Sequence, residues 1–506
     1  MARAGLRFTL DDGVPTMPFG PRRGTLVLSR PSGNSITLHT PTLLTPTSRG
    51  VVPHLTRSHV RSSDAIGLIH VPFETFLEQS PPVPTLDPGP NALHRLLGFE
   101  LDRHIVSLSV RDPDDTRAMP PNGNGFLNAC SLRGVRKITP AEWTNYTRAC
   151  RPDVVVALSD TPHTAPPFSQ KRLTKSIERS TAWLAALLAP NPDPSPSPAI
   201  LVHLAGCASP AARAAFAGSL TEPLNALEST SIGGLPTYDA GVAGYTADLR
   251  PLRLAISSPD QTTALLHASL AALPPAKPRF AHGATGPHDV LRLIRDVGID
   301  VLDARWAVDA ASCGVALDFA FPVPVSAPGA EPKRNKIGHN LYDTHYRLDF
   351  RALSSSPCPC IACAPTPPTH HIVHGPFESP SPSPTDASSS PYTRAYLHHL
   401  LHTHEMSAHS FLTAHNLAVV DALLDGVRGV LASPSSSAAL ASEVQRFEEA
   451  YRDIDAEGES VMHEARTMWA DVDRARGKGR LKREREHATP VEAMEPEDGV
   501  GSRTQA

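Results

Sequence analysis

From Arg103 onward the hydrophobic positions fall into a repeating unit: a short aliphatic run, a polar loop, then a segment of helical period. Ile105-Val-Ser-Leu-Ser-Val, Asp153-Val-Val-Val-Ala-Leu, Ala199-Ile-Leu-Val-His-Leu, Arg279-Phe-Ala-His and Ile299-Asp-Val-Leu-Asp are continuous in apolar residues. That pattern marks strands buried on both faces of a parallel sheet. Helix signals lie between them. Thr139-Pro140-Ala141-Glu142 is a capping arrangement, Thr174 to Leu188 is amphipathic, and Gly286-Pro287-His288-Asp289 opens Val290 to Val297. Strands and helices alternating in this way predict an α/β fold, either a closed (β/α)8 barrel or an open doubly wound sheet. No Gly-x-Gly-x-x-Gly stands at a strand-to-helix junction, which counts against the dinucleotide-binding open sheet.

Outside the repeat, Thr25-Leu-Val-Leu and Ser35-Ile-Thr-Leu-His alternate as exposed strands do. Pro190 to Pro198 reads as a loop, and Ala364 to Pro391, rich in Pro, Ser and Thr, as a disordered insertion. A histidine-rich helix is expected from Thr393 through Ala414-His415-Asn416, and an acidic helix from Ser442 to about Val461. Past Arg474 the chain is basic and polar and reads as a disordered tail. The expected organisation is N-terminal strands and the start of the barrel at 1–100, barrel core at 101–350, a metal-binding subdomain at 351–430 interrupted at 364–391, helices at 431–473 and a tail at 474–506.

Composition adds three constraints. A formal charge of −4 excludes a wholly basic nucleic-acid coat but permits a local basic face. The 52 prolines predict long irregular connections around an aliphatic core. Seven cysteines, three of them clustered, do not form a disulfide framework and fit a reducing compartment. No stretch approaches the roughly 18 apolar residues of a membrane span. The Arg- and Ser-rich start alternates like strands rather than forming a transit helix.

The strongest chemical signal is Cys358-Pro359-Cys360-Ile361-Ala362-Cys363. Three thiols within six residues can converge on one metal, and tetrahedral zinc accepts three thiolates and one imidazole. His370, His371, His374, His398, His399, His402, His404, His409 and His415 are all candidates for the imidazole, and spacing alone does not choose among them.

The stretch Arg394-Ala395-Tyr396-Leu397-His398-His399-Leu400, with Glu405 and His415-Asn416 after it and Cys-x-Cys-x2-Cys before it, resembles the C-terminal zinc subdomain of the tRNA-guanine transglycosylase (queuine tRNA-ribosyltransferase) family. Pro121-Asn-Gly-Asn-Gly-Phe, Arg136-Lys-Ile-Thr-Pro-Ala-Glu, Arg151-Pro-Asp-Val-Val-Val-Ala-Leu-Ser-Asp, Lys277-Pro-Arg-Phe and Gly298-Ile-Asp-Val-Leu-Asp303 fall in the family's order. The resemblance covers roughly residues 20 to 425. It implies a (β/α)8 barrel with an inserted zinc-binding subdomain, and one structural zinc held by Cys358, Cys360, Cys363 and His415.

It also implies an activity, and here the sequence departs. Asp303 matches the family's nucleophilic aspartate. The aspartate loop Asp-Ser-Gly-Gly has no counterpart around Ser63-Asp64, and the base-recognising Phe-Asp-Glu becomes Leu158-Ser159-Asp160. The Leu-Ala-Val-Gly-Glu pocket floor is replaced by Leu235-Pro-Thr-Tyr-Asp-Ala-Gly, and Pro-Thr-Arg by Trp306-Ala-Val-Asp309. These losses match the family's eukaryotic accessory branch. The implied role is a subunit with no catalytic residue of its own. It pairs with a catalytic queuine tRNA-ribosyltransferase subunit and meets tRNA through that heterodimer. Two other readings follow from the same residues: an active transglycosylase using Asp303, and a zinc-stapled barrel that binds RNA or protein without a link to queuine. The cysteine usage and the resemblance imply a cytoplasmic location, and peripheral association with the mitochondrial outer membrane is implied by the family alone.

Overall fold

Short β-branched and aliphatic runs, too apolar to face water on either side, are satisfied by a sheet with no edge. The computed structural model describes residues 5–11, 17–30, 33–115, 117–162, 166–191, 197–256, 258–324, 334–364, 391–433, 436–454, 460–472 and 474. The N-terminal strands β1 (Gly5–Leu10), β2 (Gly24–Ser29) and β3 (Ser35–Thr40) form an antiparallel sheet. Next come β4 (Thr42–Pro46), β5 (Leu68–Pro72) and β6 (Ile105–Ser109), a two-stranded ribbon of β7 (Leu127–Ser131) and β8 (Gly134–Ile138), and then β9 (Val154–Val156), β10 (Ala199–His203), β11 (Gly244–Asp248), β12 (Arg279–His282) and β13 (Val301–Asp303). Strands β4, β5, β6 and β9 to β13 close a parallel eight-stranded barrel, sealed where Val301 of β13 pairs with Thr42 of β4.

Five of these strands are the runs read from the sequence. The other three, β4, β5 and β11, carry Thr, Pro, His, Gly and Asp and so lack an unbroken aliphatic signature. The neighbouring strands supply the burial that their own composition does not advertise.

One end of the barrel is stoppered. Leu28 of β2 and Ile36 of β3 share a buried cluster with Leu44, Leu68, Ile105, Val154, Phe280 and Val301 from the barrel. Each such side chain contributes about 1.5–3 kcal/mol when fully buried. Two buried ion pairs fasten the stopper. Arg30 makes a bidentate contact with Asp153 at 2.7 and 3.0 Å, and Arg22 grips Asp300 while donating to the carbonyls of Pro275 and Lys277. Asp153 and Asp300 immediately precede β9 and β13, so the stopper sits at the N-terminal ends of the strands and leaves the C-terminal ends open.

Helices behave as their caps dictate. Thr139 and Glu142 form the reciprocal box at the start of Pro140–Cys150 (3.1 and 2.8 Å). The amphipathic helix spans Gln170–Leu188, a turn longer than expected, because the Ser169 hydroxyl caps it at Arg172 N. The histidine-rich segment is two helices rather than one, Arg394–His402 and Met406–Leu431, because His404 adopts a left-handed conformation (φ 61°) that ends the first. The acidic helix runs Ser436–Ala450, ending where Asn335 bridges to Tyr451. Between barrel and C-terminal helices lie β14 (Val315–Leu317) and β15 (Gly338–Asn340), an antiparallel pair. The insertion 365–390 and the tail beyond 474 lie outside the described residues.

Candidate metal centre and barrel mouth

Cys358, Cys360 and Cys363 sit on a tight turn closed by Cys363 N and Ala364 N donating to Cys360 O (3.1 and 2.8 Å). The fourth group arrives from helix Met406–Leu431, 52 residues beyond Cys363. His415 Nδ1 lies 3.6, 3.7 and 3.4 Å from the sulfurs of Cys358, Cys360 and Cys363. All four ligand atoms fall within 4.8 Å of one another, so the group can hold a metal ion. Tyr392 N donates to Ala362 O at 2.9 Å, so the chain leaves for the insertion and returns at the same point, beside the thiols.

The orientation of His415 is fixed from behind. Its Nε2 lies 2.8 Å from the carbonyl of Leu317 in β14, which assigns the ring proton to Nε2 and turns the Nδ1 lone pair toward the thiols. Asn416 completes the grip. Its amide oxygen accepts from Leu317 N (2.9 Å) and its amide nitrogen donates to Ala307 O and Val315 O (both 3.0 Å). The His-Asn pair therefore clasps both backbone groups of one strand residue. The other histidines do structural work or stay outside: His398 Nδ1 meets Leu341 O, His402 Nε2 meets Tyr342 O and His409 Nδ1 meets Ala311 O. His370, His371 and His374 lie outside the described residues.

At the open end of the barrel, Asp303 closes β13. It is buried, and its carboxylate accepts from Gly283 N (2.9 Å) and Ala284 N (3.3 Å) in the loop after β12. Burial, reinforced by the nearby Asp114 carboxylate, raises its pKa well above the usual carboxylate range despite those two N–H donors. Arg305, just beyond it, is engaged by Asp309 (3.5 Å), Asp112 (3.8 Å) and Asp114 (3.9 Å).

Three histidines that the sequence reading did not single out line the mouth: His70 within β5, and His203 and His282, which end β10 and β12. His203 Nε2 lies 2.9 Å from Asp248 Oδ2, His70 Nε2 is 2.9 Å from Ser109 Oγ, and the rings of His70 and His282 are 4.6 Å apart. Burial pushes His282 down to about 4 and His70 well below its ordinary value, so both are neutral. Burial alone would raise Asp248, but His203, bonded to it, holds its carboxyl well below the usual range. The space left is about 50 Å3. A closed cavity that holds benzene is about 150 Å3, so the space among these side chains is small. A signal for two of these residues existed in the sequence: His203 and His282 each end a strand, the position where barrels place functional groups, whereas His70 interrupts an apolar run.

The sequence substitutions fall out differently in space. Asp160 points away from the mouth. It is fully buried against Arg172 (2.7 and 2.8 Å), Arg179 (3.0 Å) and Asn122 (2.7 Å), while Ser159 and Thr161 line the cavity. Ser63-Asp64 precede β5 and Leu235 to Gly241 precede β11, which places both at the stoppered end; Asp64 pairs there with Arg103. Neither segment is a mouth loop. The mouth position after β6 is Ser109 to Asp112, and after β11 it is the helix Leu249–Arg253. β5 and β11 lack an unbroken aliphatic signature, so the sequence did not show on which side of each strand these segments fall.

Glu74 holds one side of the mouth in shape, accepting from Asp112 N (2.8 Å) and Cys130 N (2.9 Å). Burial raises it to about 7, against the ordinary 4.5 of a glutamate. The folded state therefore holds this proton more tightly than the unfolded state. The stability this confers is complete below pH 4.5 and is lost as pH rises through about 7. Urea midpoints of the native protein and Glu74→Gln, compared across pH, should diverge in slope only within that window. Parallel profiles would refute the assignment.

A closed parallel barrel with a Cys3His cluster clasped beneath its C-terminal helix is the architecture of a base-exchanging transferase family: the chain belongs to the queuine tRNA-ribosyltransferase family, whose model matches residues 19–449. Among curated relatives, it is 26% identical over 394 residues to the queuine tRNA-ribosyltransferase accessory subunit 2 of Ixodes scapularis, covering 75% of this chain and 86% of the relative. The protein of the same name from Schizosaccharomyces pombe is 26% identical over 446 residues (84% and 83%), and that from Xenopus tropicalis 24% over 425 residues (78% and 90%). No helix among the described residues is long and apolar enough to cross a membrane.

Proposed function

We propose that this chain is a non-catalytic accessory subunit that pairs with a catalytic queuine tRNA-ribosyltransferase in the cytoplasm and helps present tRNA for exchange of guanine by queuine. The carrying observation is the state of Asp303. A nucleophilic carboxylate must be ionised and reachable by the ribose carbon. Asp303 is buried, and both of its oxygens accept from backbone N–H groups. The cavity at the barrel mouth is narrowed by the imidazoles of His70, His203 and His282.

The Cys3His group fits zinc. Zinc–sulfur and zinc–nitrogen bonds of about 2.3 and 2.05 Å in a tetrahedron put sulfur and nitrogen about 3.5 Å apart. The observed 3.4–3.7 Å brackets that value. Four protein ligands leave no open position, so the ion is structural: it ties the Cys358–Cys363 turn to helix Met406–Leu431. The same subdomain presents a pairing face. Leu348, Phe350 and Tyr396 are exposed around the backbone bond from Ala395 N to Asp349 O. Exposed apolar groups gathered in this way are the raw material of a subunit interface.

The purified single chain should show no exchange of labelled guanine into tRNA. Mixed with the catalytic subunit it should form a complex whose rate is unchanged, within twofold, by Asp303→Asn in this chain. Turnover by the single chain, abolished by Asp303→Asn, would establish an active transglycosylase instead.

A further inference from the structure

The ribbon β7–β8 lies in the connection after β6, on the open side of the barrel, and Leu127 at its base lines the mouth. Its two strands differ. β7 is largely buried and anchored by the bond from Cys130 N to Glu74, whereas β8 is an exposed edge from Gly134 to Lys137. The tip and edge carry Arg133, Arg136 and Lys137, all exposed; the Lys137 ammonium lies 4.7 Å from the Phe126 ring centre.

The loop leading into the ribbon is tied to the first half of helix Gln170–Leu188. Arg179 donates to Asn122 O and Asn124 Oδ1, and Trp183 Nε1 donates to Asn124 O. Lys171, Lys175 and Arg179 are spaced four residues apart and share one stripe of that helix. Because the helix follows β9, its start faces the mouth, and Lys171 and Lys175 extend the ribbon's basic surface along it.

Among the described residues, Arg133, Arg136, Lys137, Lys171 and Lys175 have no ion-pair partner, while Arg172 and Arg179 between them are consumed by buried Asp160. The carboxylates near the ribbon include Glu74, which is buried, Asp115, which pairs with Arg117, and Glu142, which is bonded to Thr139; Glu178 lies on the helix surface one turn from Lys175. Asp112 and Asp114, earlier in the same connection, are engaged by Arg305 and Arg250. In a chain of net charge −4 the basic residues are a local concentration, not an overall excess. Basic residues on an edge strand also discourage strand-to-strand aggregation, which accounts for Arg136 and Lys137. It does not account for two further unpaired lysines on a neighbouring helix.

From this face we infer that the ribbon edge and the helix stripe form a docking surface for the phosphate backbone of structured RNA lying across the mouth. That this RNA is tRNA rests on the functional reading above. Phosphate contacts release counterions, so each one adds roughly 0.7–0.9 to the slope of log affinity against log salt. The test uses the full-length chain, alone and with its catalytic partner, and a tRNA transcript as the probe. Arg133→Ser/Arg136→Ser/Lys137→Ser should weaken binding about tenfold and flatten the slope by about 2, and Lys171→Ser/Lys175→Ser should flatten it by about 1.5. Arg7→Ser, exposed on β1 at the stoppered end, should change neither. Pairing is read separately by size-exclusion chromatography of the same samples. Slopes unchanged in both multiple variants, or no RNA binding by the native chain in any form, would overturn the docking surface even if pairing holds. RNA binding that needs these residues, in a chain that does not pair, would uphold the surface and remove the functional reading.

Discussion

Stripping the metal, or replacing Cys360 with Ser, is expected to loosen the 351–364 loop and helix Arg394–His402 and to reduce pairing with the catalytic subunit at least a hundredfold. The affected elements follow from the packing. Helix Met406–Leu431 buries Leu412, Leu417, Leu423 and Leu424 and is clasped to β14 through Asn416, so it stays in place without the ion. The Cys358–Cys363 turn has no comparable apolar anchor; Cys360 and Ala362 are its buried members. Three thiols gathered this closely compete for protons: hydrogen bonds from Cys360 and Cys363 drive Cys358 far down, while the same contacts drive Cys363 up. A cation among them removes that conflict. In zinc-finger peptides a metal supplies an apparent 10–16 kcal/mol of folding free energy. Here the loss should appear as fast amide exchange confined to 351–364 and 394–402, with the barrel still protected. Unchanged metal content in Cys360→Ser would remove the ligand assignment, and full pairing after chelation would remove the link between metal and partner.

The second large effect lies at the other end of the molecule. Arg22→Met should destabilise the chain by about 3–5 kcal/mol, because it strands the fully buried Asp300 carboxylate without its counter-charge. Asp300 would keep only the bond from Arg279 N (2.7 Å), and the carbonyls of Pro275 and Lys277 would lose their donor. Arg22→Met/Asp300→Leu should recover part of the loss, since it removes the orphaned charge as well. Equilibrium or kinetic unfolding of the single and double variants decides this. A single variant as stable as the native chain would show that water reaches Asp300.

What the sequence disclosed about this fold follows from what burial demands of a strand. β6, β9 and β10 announce themselves because both faces of each are buried and most of their residues are aliphatic. β11, Gly-Tyr-Thr-Ala-Asp, is no less buried over its first four residues, but its Tyr245 hydroxyl is satisfied by Asp239 (2.7 Å), a partner that no local pattern reveals. The site divides in the same way. Cys358, Cys360 and Cys363 are adjacent in sequence and so were visible as a metal motif, whereas His415 emerged from family resemblance, because nine histidines met the chemical requirement and only the fold distinguishes them. The mouth was read least well. His70, His203 and His282 are far apart in the chain and meet only because parallel strands end on a common ring.

The seam of the barrel has a consequence for biosynthesis. β4 ends at residue 46 and must wait for β13, which begins at residue 301, before either is fully paired. A chain emerging N-terminus first therefore exposes two raw sheet edges for most of its synthesis. Helix Met406–Leu431 then arrives over the seam, with Arg428 donating to Pro41 O (2.7 Å) beside β4 and His415 and Asn416 gripping Leu317 beyond β13. The imidazole of the Cys3His group is carried by the element that covers this seam. Metal retention measured on newly released chains is therefore expected to rise together with closure of the barrel.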